Sequence, residues 1–419
     1  MRGIRPSASA ALLVAAFAAT ALCACSSTTD SLGYDGPGGV GLDTLIKPAS
    51  YPNRLADWLN KTPAEIDAKI NSVWNQLFYG DPNTQAIYYP LGTDQAEIRD
   101  TLHGDIRTEG LGYAMMIAVQ LDKRTEFDRM WTYVKVVRSY PMTDPNGGYF
   151  QSSCDSVPPA PAVSCNDPFG HAQFVTALLF ARDRWGITGK HDYAADAGTL
   201  LNVMRHKEDI NGGIVNGVTN TFDQDTALPF DVPDVRAAGI SRPSVAMPAF
   251  YELWGQATHD PFWTRAATAA RAYWKRAAHP TTGLFPSRAS FDGTPVENWD
   301  TFDSESFRAQ INIVLDRIWF AKDPWQIEEL DRLLAFFSSK GMSSYGGEFT
   351  LDGDTVNGLK DYALVAANGA SAVVSTNVNR VAFVNDAWSM PIQTGPVRYF
   401  SGLLNLTALL ILSGQYRVL

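Results

Sequence analysis

Apolar residues recur at helical spacing along most of the chain. The first clear segment begins at Thr62, which can cap a helix, with Pro63 suited to its first position and Glu65 able to reach back to the cap. Apolar positions over 66–77 then repeat every three or four residues. Similar patterns predict helices at 108–122, 125–138, 170–184, 192–206, 244–257, 260–278, 305–319, 326–339, 358–373, 380–390 and 397–413.

These helices follow one another in pairs, whereas strand-like alternation is confined to short pieces near Gly148–Phe150 and Glu348–Leu351. Sequential pairs indicate an all-α protein built as an (α/α)6 barrel, with six inner and six outer helices. Inner helices should be apolar on every side, and 170–184 and 397–413 come closest to that pattern. A solenoid is the alternative, but no fixed-period repeat is present. We expect one barrel domain over residues 51–419.

The N-terminus reads as an export segment. Two arginines precede an apolar run over residues 11–22, and the motif Leu-Cys-Ala-Cys that ends at Cys25 resembles the lipobox of bacterial lipoproteins. We therefore expect a signal peptide over residues 1–24, lipidation of Cys25 and anchoring to the cell envelope, in the periplasm or at the outer membrane. An ordinary signal peptide is the alternative. Residues 25–50 are rich in Gly, Ser, Thr and Pro, which predicts a flexible tether.

Composition narrows the classes of protein that fit. Of the 419 residues, 45% are hydrophobic and 19% charged, which permits a large core and excludes disorder as the main state. The net charge is -10, so nucleic acid is not an expected partner, because phosphates attract basic surfaces.

Cysteine and histidine usage bears on redox state and metals. Cys154 and Cys165 are separated by ten residues, and in an oxidising compartment this spacing indicates a disulfide that closes a loop. No His lies at ligand spacing from either Cys, and there is no His-Glu-x-x-His motif among six His residues. We expect neither a metal nor a cofactor.

Two segments concentrate chemistry-bearing side chains at predicted helix starts. The first places Asp105, Arg107 and Glu109 just before two glycines, and the second runs over 298–308 with alternating aromatic and acidic residues. Acidic residues at a helix start can serve only as caps or as partners of the helix dipole. If Glu109 faces a carboxyl of the second segment across the barrel mouth, the two could carry out glycoside hydrolysis.

The run Asp105–Val119 (DIRTEGLGYAMMIAV) resembles the signature of glycoside hydrolase family 8. Further similar motifs, among them Ile87-Tyr88-Tyr89 and Thr394–Phe400, extend the resemblance over about 63–416. Within that family the chain is most similar to the reducing-end xylose-releasing exo-oligoxylanases. The resemblance implies an (α/α)6 barrel and an inverting mechanism without a cofactor. It also implies hydrolysis of β-1,4-linked oligosaccharides, with xylo-oligosaccharides as the first expectation and release of xylose from the reducing end as one mode.

Residue roles follow from the same resemblance. Glu109 matches the general acid, and Glu305 matches the general base, one methylene longer than the Asp of the family pattern Asp-Ser-Tyr-Arg. Asp303 is the alternative base. The residues expected to bind substrate are Asp105, Arg107, Tyr113, Asp167, Trp299, Arg308, Lys360 and Tyr399, and aromatic rings among them (Tyr113, Trp299 and Tyr399) are expected to line the cleft.

The chain also departs from the family pattern. Phe169 stands where the family has a sugar-binding Asp, which Asp167 could replace only if the loop shifts. Val245-Ala246 replaces Tyr-His, and the segment around Lys360 lacks the His that senses the reducing end in the exo-acting enzymes.

These departures leave other functions open. One is hydrolysis of a different, acidic oligosaccharide, for which Arg242, His171 and Lys360 could supply positive charge. Another is a non-catalytic carbohydrate-binding lipoprotein with the same barrel. A helical scaffold for protein partners is the third.

Overall fold

The computed structural model describes residues 42–153, 165–186, 189–342 and 344–419. The helices found there are α1 (Arg54–Leu59), α2 (Pro63–Tyr79), α3 (Thr108–Gln120), α4 (Arg124–Tyr133), α5 (Pro168–Trp185), α6 (Tyr193–Asn211), α7 (Pro248–Thr258), α8 (Pro261–Ala277), α9 (Ser304–Trp319), α10 (Trp325–Lys340), α11 (Tyr362–Ala372), α12 (Arg380–Ser389) and α13 (Arg398–Leu412). The predicted signal peptide, Cys25 and Cys154 lie outside the described residues.

Six of these helices form a closed inner ring. In the order α3, α5, α7, α9, α11 and α13 each contacts the next, and α13 contacts α3. The outer helices α4, α6 and α8 cover α3, α5 and α7, while α10 lies on α9 and α11, α12 on α11 and α13, and α2 on α13. This is the (α/α)6 barrel that the paired helices predict, with the short α1 added against α12.

The inner helices are buried on nearly every side, as their apolar composition requires. Almost all residues of α5 and α13 are buried, which confirms the two segments expected to be innermost. Glycines let α3 and α5 approach closely. A Cβ at Gly112 would lie 2.5 Å from the Cβ of Gln173, and one at Gly170 would lie 2.5 Å from the Thr108 hydroxyl oxygen.

The segments between the helices contain short antiparallel strands, namely β1 (Tyr88–Leu91), β2 (Gln95–Ile98), β3 (Ile240–Ser241), β4 (Ala289–Ser290), β5 (Thr301–Phe302), β6 (Glu348–Thr350) and β7 (Thr355–Asn357). They pair as β1–β2, β3–β4 and β5–β6–β7. The strand expected near Glu348 is therefore present, whereas the one expected at Gly148–Phe150 is wrong, because this segment makes only isolated bridges. The end of the predicted helix 125–138 is a π-helix over Val134–Arg138.

The predicted tether is too long at its C-terminal end. The Asp43 amide donates to the Ala257 carbonyl at 2.8 Å, and the Leu45 amide donates to the Asp183 carboxylate at 3.3 Å. Leu45 itself is buried in the core. The barrel unit thus begins before residue 51, because one buried apolar side chain and several hydrogen bonds, these two among them, fix a segment whose composition suggested flexibility. No helix among the described residues is long and apolar enough to cross a membrane.

Candidate active site

The starts of α3 and α9 bring Glu109 and Glu305 to one guanidinium. Arg308 donates through one terminal nitrogen to Glu109 Oε2 and through the other to Glu305 Oε2. Glu305 and Arg308 are one helical turn apart on α9 and so share a face, while Glu109 comes from the first turn of α3. The Arg308 side chain is 0% exposed, and the carboxylate side chains are 15% exposed for Glu109 and 27% for Glu305.

The shared arginine limits how far apart the two carboxylates can lie. Two hydrogen bonds of ordinary length and the width of one guanidinium allow at most about 8 Å between the bonded oxygens. An inverting pair needs about 6.5–9.5 Å between its carboxyl groups, so that a water molecule fits beside the sugar. The arrangement is therefore compatible with inversion.

Each carboxylate uses only one oxygen in this contact. Arg308 reaches Oε2 of both glutamates, and Arg242 donates to the same Oε2 of Glu305 at 2.9 Å. No described residue donates to Oε1 of Glu109 or of Glu305. Both side chains are partly exposed, which is consistent with a role in contact with substrate or water.

The surroundings shift the pKa values of the two carboxyl groups in opposite directions. Burial raises the pKa of Glu109, and the charges of Glu305 and Asp167 raise it further against the opposing charge of Arg308. Burial also acts to raise the pKa of Glu305, but Arg308 and Arg242 outweigh it and hold that pKa at about 2. One carboxyl is thus suited to donate a proton and the other to accept one, the asymmetry that acid–base catalysis requires.

Asp303, the alternative base, is engaged elsewhere. Its Oδ1 accepts the Glu305 amide at 2.9 Å as the N-cap of α9, and its Oδ2 accepts the Ser287 hydroxyl at 2.5 Å. It has no hydrogen bond to Arg308 or Arg242. Its position is that of a helix cap, so the geometry favours Glu305 as the base.

Asp167 lies beside the pair without any loop shift. As the N-cap of α5 it accepts the amides of Phe169 and Gly170 at 3.2 and 3.0 Å, and Arg242 donates to it at 2.8 Å. Its carboxylate is therefore occupied by protein donors. Phe169, at the position of the family's Asp, places its ring 4.5 Å from the Arg308 guanidinium, which replaces a polar sugar contact with an apolar cover.

The aromatic candidates differ in exposure. Tyr113 is 2% exposed and contacts the Phe169 ring at 5.2 Å, while Tyr399 is 3% exposed and lies directly on Gly110. Both side chains are buried, contrary to the expectation that they line the cleft. Trp299 is partly exposed, with the Arg288 guanidinium 3.6 Å from its ring centre.

Four other predicted substrate-binding residues have protein partners. Asp105 and Arg107 form an ion pair at 3.1 Å, and Arg107 also lies 3.3 Å from Asp100. Lys360 pairs with Asp386 at 3.4 Å, and none of its described contacts joins it to the acidic pair. Arg308 is fully buried beneath the carboxylates, so its contacts are with the acidic pair and not with solvent-accessible space.

The structure does not support a cationic site for an acidic sugar. His171 is buried, and burial lowers its pKa to about 4, so this side chain is neutral at neutral pH. Arg242 is occupied by carboxylates, and Val245-Ala246 is buried among apolar residues. Within the described ranges, no group of His, Cys, Asp or Glu side chains could hold a metal ion. Cys165 is disulfide-bonded, while its predicted partner lies outside those ranges.

Arg242 is the residue whose role at the site the sequence does not indicate correctly. Its charge suggests sugar binding, yet it lies buried against Glu305, which is 63 positions away in the chain. No local motif marks such a contact. Arg308, by contrast, could be placed near Glu305 from its helical spacing alone.

Known proteins resemble this chain over most of its length. The family model for glycosyl hydrolases family 8 matches residues 93–414. The reducing-end xylose-releasing exo-oligoxylanase of Paenibacillus barcinonensis is 36% identical over 369 residues, 84% of this chain and 93% of that protein. Its counterpart from Halalkalibacterium halodurans is 36% identical over 366 residues, 85% of this chain and 91% of that protein. The crystal structure of a xylobiose complex from Teredinibacter turnerae matches with a TM-score of 0.81 at 34% identity, over 88% of this chain and 97% of that one.

Proposed function

The chain belongs to glycosyl hydrolases family 8, and from this premise we propose that it hydrolyses β-1,4-linked xylo-oligosaccharides with inversion and releases xylose from their reducing ends. Two relatives that share 36% of their residues with it over more than nine-tenths of their length are named for that activity. The proposal rests on the pair Glu109–Glu305. Both carboxylates accept hydrogen bonds from the buried Arg308, and their pKa values are shifted in opposite directions.

We assign the proton donor to Glu109 and the proton acceptor to Glu305. Glu109 protonates the glycosidic oxygen as its bond to the anomeric carbon breaks. Glu305 takes a proton through Oε1 from a water molecule, whose oxygen forms the new bond at the opposite face of that carbon. Exchange with solvent then returns the proton to Glu109 and removes the one on Glu305. Arg308 stays charged throughout and holds the side chains of Glu109 and Glu305 in position.

Labelled xylotriose tests the substrate and the end that is cut. If ¹³C is placed at C1 of the reducing-end residue, release of labelled xylose with unlabelled xylobiose supports the proposal. Unlabelled xylose would mean attack at the other end, and cleavage of cello-oligosaccharides in preference to xylo-oligosaccharides would overturn the assigned sugar. Glu109→Gln is the control, because it keeps shape but cannot donate the proton.

We further propose that the enzyme is exported and tethered to the outer membrane through a lipid on Cys25. Support comes from the apolar run and lipobox-like motif in the sequence, and from the disulfide at Cys165, which suits an oxidising compartment. The wild type should partition into a detergent phase, while Cys25→Ala should remain in the aqueous phase. Equal partitioning of the two would overturn the anchor.

A further inference from the structure

The buried side chain of Arg242 reaches three carboxylates with three different nitrogens. Its Nε lies 2.7 Å from Asp231, one terminal nitrogen lies 2.9 Å from Glu305, and the other lies 2.8 Å from Asp167. These acids come from three separate parts of the barrel: the loop before β3, the start of α9 and the start of α5.

Two of the three partners are themselves fixed. Asp167 is held by the backbone amides of Phe169 and Gly170, and Asp231 receives the Arg288 Nε at 2.8 Å. A planar guanidinium with an ion pair to one anchored acid and a hydrogen bond to another has little freedom to turn. Its remaining nitrogen is therefore aimed at a constant position, which the Glu305 carboxylate occupies.

Glu305 needs such a restraint more than an aspartate would. Its side chain has one methylene more than the Asp of the family pattern and so one more rotatable bond. Arg308 and Arg242 bind the same oxygen, Oε2, from two directions. Two donors on one oxygen fix the carboxylate plane and leave Oε1 as the atom that can take a proton.

We propose that Arg242 is a positioning residue, which with Arg308 orients Glu305 for proton abstraction and keeps it ionised in acidic solution. The inference rests on the proposed role of Glu305 as base. In this role Arg242 contacts neither the substrate nor the reacting atoms. It acts through the carboxylate that it holds.

Other charges also act on Glu305 and set how much Arg242 can change. The charged or titratable groups around it are Glu109 and Tyr113 on α3, Asp167 at α5, Asp231 and Arg242 before α7, Arg288 after α8, and Asp303 and Arg308 at α9. Removing Arg242 leaves Arg308 as the one direct cationic partner among the described residues. The pKa of Glu305 should then rise, while Arg308 still favours its ionised form.

The test compares pH profiles of kcat/KM on xylotriose for wild type, Arg242→Lys, Arg242→Met and Arg271→Lys. The acid limb of that profile reports the base of the free enzyme. Arg242→Met removes a positive charge in direct contact with Glu305, so the acid limb should move to higher pH by about 1–3 pH units. Arg242→Lys keeps the charge but cannot bridge three acids, so a smaller rise is expected.

Arg271→Lys is the matched control. Arg271 is equally buried and also joins two carboxylates, Glu252 and Asp316, but it has no contact with Glu305. This variant should lower the melting temperature and leave the acid limb in place. A purely structural role for Arg242 predicts the same result for Arg242→Met, so a folded Arg242→Met with an unmoved acid limb would overturn the proposal.

A titration that needs no turnover separates this inference from the proposed function. With ¹³C-labelled glutamate, and with the Glu305 signal assigned by its loss in Glu305→Gln, the wild-type midpoint should lie well below the ordinary value of about 4.3. A midpoint at or above that value would overturn the inference even if neither Arg242 variant folds. The same titration of a folded Arg242→Met separates Arg242 from Arg308: a higher Glu305 midpoint than in wild type supports the role of Arg242, and an unchanged midpoint would overturn it. A protein that shows this difference without cleaving xylo-oligosaccharides would refute the proposed substrate and keep the role of Arg242.

Discussion

Replacing Gly110 with alanine should reduce both stability and activity, because Tyr399 occupies the space that the new side chain needs. A Cβ at this position would lie 2.2 Å from the Tyr399 hydroxyl oxygen and 2.4 Å from its Cε2. Tyr399 is buried on α13 and cannot swing into solvent. Overpacking of this kind costs about 1–3 kcal/mol, which exceeds the roughly 0.5–1 kcal/mol that alanine gains over glycine within a helix.

Activity should fall further than stability alone explains. Gly110 directly follows Glu109, so relief of the clash displaces the proposed acid, and a shift of about 1 Å can lower the rate about 100-fold. The assay is thermal unfolding together with kcat/KM on xylotriose. Gly255→Ala is the control, since this helical glycine on α7 has its nearest neighbour at 3.5 Å and should tolerate a methyl group.

A double-mutant cycle identifies the cause. Tyr399→Leu removes the ring atoms that collide with the methyl group added by Gly110→Ala, so the double variant should be more stable than the sum of the single losses predicts. Strictly additive losses, or a Gly110→Ala protein as stable and active as Gly255→Ala, would show that the contact with Tyr399 does not limit this position.

Two further predictions concern ionisable groups. Glu305→Gln should lower kcat by about 10²–10⁴-fold, whereas Asp303→Asn keeps a side-chain oxygen that can cap α9 and should change kcat little, so the reverse order in kcat measurements would identify Asp303 as the base. Burial raises the pKa of Glu329 to about 8 against the charge of Arg332. Because this pKa exceeds the value of about 4.3 in the unfolded chain, protonated Glu329 contributes stability that is fully present below about pH 4.3. That stability is lost as the pH rises through about 8. Glu329→Gln should therefore show a flatter decline in melting temperature from about pH 5 to 9, and parallel declines would contradict the assignment.

The sequence predicts the barrel well because helical periodicity is a local property. The segments 170–184 and 397–413 come closest to being apolar on all sides, and they form inner helices α5 and α13. The short strands and α1 are harder to predict, since a few residues carry little periodicity. Leu45 shows a different limit, because one apolar side chain in a Gly-rich stretch packs on the barrel only through contacts made far away in the chain.

The candidate site is predictable in part for the same reason. The resemblance at 105–119 identifies Glu109, and helical spacing places Arg308 beside Glu305. Whether Tyr113 and Tyr399 face solvent or the core depends on the packing of α3 against α5 and α13, which residue type alone does not determine. Arg242 depends on three contacts from distant segments, and its charge suggested a ligand where the fold supplies carboxylates instead.

The most direct test of the account is the anomeric form of the product at early times, followed by proton NMR with xylotriose as substrate. An acid at Glu109 and a base at Glu305 predict that the new reducing end of xylobiose appears first as the α-anomer, and that neither Glu109→Gln nor Glu305→Gln produces it at a comparable rate. Initial formation of the β-anomer, or full activity in either variant, would contradict the proposed acid–base pair.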